Sequence, residues 1–305
     1  MQHLANTTVP ALLGDRPVLQ PPTRAAVLSR RTALALPPLV LVATAQASPT
    51  LLLRVRPGPD EPPLAYGSIA AALEAAEPGA TVQVAAGYYA ERLLFTRPVR
   101  LESAPGAEVI VEHETEVPYE ATLTVESEGV VVERLTFRHT SPSIAANYCV
   151  LVRGTGCLTM ERCSVTSSTG SGLGCEGGRV SIRETEFAGC KRHGVLFTGD
   201  LEGDSPFGGS VLESCLMQKN REHGAVLRDG AVVSFRACSL TDNAGVGLMA
   251  SDVELSLIGS TLARNNRISV SKLARIPALN VGSRGSTCSS VPRFSQESAK
   301  FSTSD

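Results

Sequence analysis

Two short runs hold residue types suited to acid–base and anion chemistry, in the same position relative to a glycine: Lys191-Arg192-His193 before Gly194 and Arg221-Glu222-His223 before Gly224. A third run, Asp242-Asn243-Ala244, precedes Gly245. Histidine is the side chain whose ordinary pKa lies nearest neutrality. A pair of them suits proton transfer, or a weak metal site completed by Glu222 or Asp242. His193, His223, Arg192 and Arg221 are therefore the candidate catalytic residues, and Lys191, Glu222, Asp242 and Asn243 the candidate ligand contacts. Lys191, Arg192 and Arg221 also form a basic cluster able to grip an acidic sugar or an acidic peptide. Between the two histidine runs lies an insertion with Asp200, Glu202 and Asp204. Carboxylates so close together are hard oxygen ligands of the kind Ca²⁺ takes, although the Asp-x-Asp-x-Asp-Gly spacing of a Ca²⁺ loop is not met. The competing readings are structural: histidines that cap a corner, a solvated acidic loop, and Asn220, Asn243 and Asn265 as a ladder of turn amides.

A repeat brings these residues together. From Leu158 to Val270 a short run of alternating apolar residues is written four times, with a fifth, fading copy from Leu255. A small residue recurs within the runs at Cys163, Thr185, Cys215, Cys238 and Ser260, at spacings of 22, 30, 23 and 22 residues. Glycines follow at 172, 194, 224 and 245, and the long spacing contains the insertion. Period-two alternation is the mark of a strand with one buried face. The Val, Ser, Thr and Gly content disfavours helical solenoids, and the Leu and Asn pattern of leucine-rich repeats is absent. What remains is an all-β solenoid of about 22-residue coils, each pairing with the coil below at about 4.8 Å per rung. His193 and His223 should then stack at about that distance. Two imidazolium ions so close repel by about 1–3 kcal/mol, so one should titrate low.

These units resemble the short repeats of right-handed parallel β-helix proteins, the pectin-lyase-like fold. The resemblance covers roughly residues 51–270, and within that group the N-terminal part also resembles the non-catalytic β-helix modules of some F-box proteins and of SHC SH2-domain-binding proteins. Gly67-Ser68 before Ile69, Ala72, Leu73 and Ala76 reads as an N-capped amphipathic helix that covers the open end of the coil. With the Gly-Tyr-Tyr and the apolar strand that follow, it is similar to the opening turns of pectin methylesterases. The signatures of the enzymes are missing: the paired Asp and Gly-His-Gly of polygalacturonases, and the Leu-Gly-Arg-Pro-Trp of pectin methylesterases. No tryptophan exists to form a sugar platform. The resemblance therefore implies a fold rather than a reaction.

Residues 1–47 read as a cleaved targeting segment: acid-poor, then Arg30-Arg31, an apolar stretch to Ala43 and Ala45-Gln46-Ala47. This resembles a plastid thylakoid-lumen leader or a twin-arginine export signal; a cytoplasmic location is the alternative. Residues 48–270 are the β-helix, and residues 271–305 a Ser-rich, largely disordered tail. The whole chain has 28 basic and 30 acidic residues. Removing four arginines and one aspartate with the leader leaves a net acidic body, which argues against nucleic acid. The mature form is expected to avoid membranes and to be a monomer. Of eight cysteines, those in the repeat should point inward as free thiols, with a bridge between Cys215 and Cys238 left open. Glu112 to Glu116 reads as a solvated acidic loop. The functional expectation is a binding module for a polysaccharide or protein ligand, without a cofactor unless Ca²⁺ serves. A lyase or hydrolase of acidic polysaccharide and an intracellular substrate-recognition adaptor are the alternatives.

Overall fold

A computed structural model describes residues 52–55, 65–143, 147–199, 209–265, 267–273 and 280–281. Residues 1–47, the insertion with Asp200, Glu202 and Asp204, and most of the segment after 273 lie outside the described residues. The strands pair in parallel, coil upon coil, into three faces of a right-handed parallel β-helix. Two of the faces join where one long strand, Val246–Ile258, runs round a corner.

The core follows from register. On one face Met160, Ile182, Leu212, Phe235 and Leu257 stand directly above one another. On a second, Val111, Phe137, Val165, Phe187, Met217, Leu240 and Leu262 do the same. These side chains are almost wholly buried, and each contributes about 1.5–3 kcal/mol by leaving water. A one-residue slip would turn a whole column outward, so the apolar alternation fixes the stacking.

The corners are turned by single residues in the left-handed region. Arg134, Arg162, Glu184, Ser214, Ala237 and Gly259, with φ between 48° and 59°, occupy one corner on successive coils. The small-residue column starting at Cys163 comes directly after them. At a second corner Gly172, Gly194, Gly224 and Gly247 stack closely. A Cβ on Gly224 would sit 2.5 Å from the carbonyl oxygen of Gly247, so no side chain fits. Gly247, not Gly245, thus completes the glycine series, because Ala225 pairs with Leu248. Gly245 aligns with Glu222 instead.

The helix α1 (Ile69–Ala75) forms where the sequence places it. Ser68 Oγ accepts the Ala71 amide at 3.0 Å, and the Glu91 carboxylate accepts those of Ile69 and Ala70 at 3.1 and 2.8 Å. These bonds satisfy the orphan donors of the first turn. Ile69, Ala72 and Leu73 face the core. Two further expectations shift. Glu112, His113 and Glu114 extend the strand that begins at Val109, Val109–Glu114, because they pair with Arg138, His139 and Thr140 on the next coil. Pairing also runs past residue 270: Arg267–Leu273 and Asn280–Val281 add to the coil.

Candidate functional site

The turn before Gly194 and the turn before Gly224 lie one coil apart, and their side chains form three short columns. The Arg221 amide bonds to the Cys190 carbonyl and the Lys191 amide to that of Ser167, which sets Lys191 above Arg221; both are exposed. In the next column Arg192 Nε lies 3.7 Å from Glu222 Oε2. In the third, the His193 and His223 rings stack with centroids 5.0 Å apart and planes 4° from parallel. The spacing is that of the strands, as the repeat requires.

The two imidazoles differ. His223 Nδ1 accepts the Val246 amide at 2.9 Å, which makes it the unprotonated nitrogen. His193 is 7% exposed. Its Nδ1 lies 3.4 Å from Glu222 Oε2 yet makes no hydrogen bond. Burial, then the neighbouring His223 ring, then Arg192 and Arg228 push the His193 pKa down to about 3. At neutral pH this ring is uncharged and holds no proton to give as an imidazolium.

Other expected residues lie elsewhere. Asn243 is 2% exposed and belongs wholly to a ladder. Its Oδ1 accepts the backbone amide and Nδ2 of Asn220 at 3.1 and 2.9 Å, while its Nδ2 donates to Met217 O and Asn265 Oδ1, both at 3.0 Å. It has no bonding capacity left for a ligand. Asp242 aligns with Lys219 rather than with the histidines, since Asn243 follows Asn220 in the ladder. It takes two bonds of 2.6 Å from Arg264, whose guanidinium holds its carboxyl below the usual range. Both therefore leave the candidate site. Among the described residues no three His, Cys, Asp or Glu side chains converge to hold a metal.

The fold also brings in residues that the sequence did not single out. Tyr148 and Ser171 lie below His193 in the same column, and Ser171 Oγ accepts the His193 amide at 3.4 Å. The Tyr148 ring covers Gly174, where a Cβ would come within 2.5 Å of it, and its hydroxyl donates to Glu176 Oε1 at 2.9 Å. Arg228, one of the charges acting on His193, donates to Thr198 Oγ1 at 3.2 Å. The legible signal was Gly174: a glycine inside a strand marks close approach.

A second polar centre sits on earlier coils. The Glu120 carboxylate accepts Thr115 Oγ1 at 2.7 Å and Arg92 Nη1 at 2.9 Å, and His113 Nε2 lies at 3.3 Å. His139 Nε2 donates to the Glu120 carbonyl at 3.0 Å, leaving Nδ1 to face Ser167 Oγ at 3.2 Å. A serine beside a histidine is the geometry of an activated nucleophile. Ser167 is 0% exposed, however, so no substrate reaches it. Burial lowers the His139 pKa to about 4.

No curated protein matches the sequence. Among solved structures, a pectin methylesterase from Aspergillus niger superposes with a TM-score of 0.55 at 14% identity, over 85% of this chain and 93% of that one. A pectate lyase superposes with a TM-score of 0.54 at 12% identity, over 84% and 79%. At these identities the likeness is one of fold. Among the described residues no helix is long and apolar enough to cross a membrane. Residues 123–276, half of the chain, match the family described as the right handed beta helix region, and the chain belongs to that family.

Proposed function

We propose that this protein is a β-helix binding module that holds an acidic polysaccharide against the His193–His223 corner without turning it over. The observation that carries the reading is the state of His193. A ring with a pKa near 3, buried and stacked on a second imidazole, is a poor proton carrier at neutral pH. Beside it, exposed Lys191 and Arg221 stand one coil apart, a spacing at which two cations can meet anionic groups along a chain. The names of the solved neighbours make pectate the first ligand to try. Residues 1–47 support export or a plastid lumen as the place of action, and a monomer is the simplest state. A lyase or hydrolase is the second reading, favoured by the grouping of histidines, arginines and a carboxylate at one corner.

The test uses the chain from Ser48 with pectate and with a neutral glucan, recording binding and product masses with and without Ca²⁺. Binding to pectate that weakens with salt, with no new fragments, is expected. Lys191→Glu with Arg221→Glu should abolish it. Fragments of lower mass would establish the enzyme reading. Equal binding to both glycans, or to neither, would contradict the acidic-ligand assignment.

A further inference from the structure

The small-residue column has a consequence of its own. Cys163, Thr185, Cys215, Cys238 and Ser260 follow one another on successive coils and are at most 5% exposed. Each comes directly after a left-handed residue, so the five side chains come round the corner in the same direction. The hydroxyl members show what the position does. Thr185 Oγ1 accepts the Cys163 amide at 3.3 Å, and Ser260 Oγ accepts the Cys238 amide at 3.1 Å. Each side chain thus reaches back to the coil before it. In this column Cys215 and Cys238 are the two thiols that follow without an intervening hydroxyl.

Their flanks pair in register, Leu212 with Phe235 and Leu216 with Ser239. The two α-carbons are therefore about one strand spacing apart, about 4.8 Å, inside the range of about 4.4–6.8 Å that a disulfide spans. The sulfurs are oriented alike. Cys215 Sγ lies 3.3 Å from Glu213 O and 3.6 Å from Ile182 O, and Cys238 Sγ 3.4 Å from Arg236 O and 3.3 Å from Leu212 O. Both are free thiols.

We propose that Cys215 and Cys238 form a peroxide-oxidisable pair that closes into a disulfide joining two successive coils. The thiolate of one cysteine of the pair attacks one oxygen of hydrogen peroxide, the O–O bond breaks, and hydroxide leaves to take up a proton as water. The sulfenic acid so formed is attacked by the sulfur of the other cysteine. The S–O bond breaks, and a second water leaves with that thiol's proton. Two thiols and one hydrogen peroxide give one disulfide and two waters. A small neutral oxidant suits a buried pair, whereas a bulky disulfide oxidant would need the coils to part.

The experiment treats the full chain with hydrogen peroxide, then denatures, alkylates and maps its peptides by mass. The expected product joins the peptides of Cys215 and Cys238, is lighter by two hydrogens, and reverts with dithiothreitol. Cys215→Ser and Cys238→Ser should each abolish the joined peptide, and a sulfenic acid stranded on the remaining thiol is trapped by a 1,3-dione. Serine occupies this column naturally at Ser260, and a thermal melt confirms that the variants fold. Full alkylation of both thiols after peroxide in the unsubstituted chain, or bridging of either to another cysteine, would overturn the proposal.

Discussion

Asn220, Asn243 and Asn265 make one stack of like polar side chains, and His193 and His223, three residues further along the coil, make another. The amide stack closes on itself. Each amide offers both donors and an acceptor, and the bonds run along the coil axis from one rung to the next. The imidazole stack cannot do this. A neutral ring has one donor and one acceptor, both in the ring plane, and the planes here lie parallel at 5.0 Å. The result is that His193 Nδ1 is left without a hydrogen bond while every Asn243 group is used. Stacked polar residues therefore do not all serve the same end. The asparagines hold coils together, and the histidines spend stability at a place where a ligand can meet charge.

That contrast can be tested by breaking each stack. The largest effect is expected from Asn243→Ala, which removes four bonds and leaves buried partners on Asn220, Met217 and Asn265. A loss of about 4 kcal/mol is expected in urea unfolding, with no change in the pH dependence of stability. Acid should act on the histidines instead. His139 has a folded pKa near 4 against 6.5 unfolded. Its folded value is depressed, so the unfolded chain takes the proton first. The stability is complete above pH 6.5 and falls as the pH drops towards 4, by about 3 kcal/mol for His139. His193, lower still, adds a loss of the same sign, and His193→Gln should flatten that part of the curve. Gly224→Ala comes next, at about 2 kcal/mol, because its Cβ meets the Gly247 carbonyl and the Asn243 amide. Asp242→Asn should change pectate binding least, since Asp242 is paired with Arg264 away from the corner; a marked loss of binding would return it to the site.

The sequence made the coil legible because Cys163, Thr185, Cys215, Cys238 and Ser260 form a ruler with one long interval. It misled where two candidates lay close together. Gly245 and Gly247 are two residues apart, and the pairing of Ala225 with Leu248 decides which continues the column. Choosing Gly245 carried Asp242 and Asn243 into the histidine corner. Tyr148 and Glu176 are 28 residues apart, and their bond depends on register that no local pattern carries. Glu112 to Glu114 looked like a loop because their charge is visible locally, while their pairing with Arg138 to Thr140 on the next coil is not. The Lys191–Arg221 and His193–His223 pairs were readable because both turns keep the same distance to their glycine.

Binding without turnover requires His193 to be neutral and held. The most direct measurement is the titration of its ring by NMR in the chain labelled at histidine, with His193→Gln to assign the signal. The His193 ring should stay neutral down to about pH 4. A midpoint near 6.5 would show an exchangeable proton at the corner and contradict the binding-without-turnover reading.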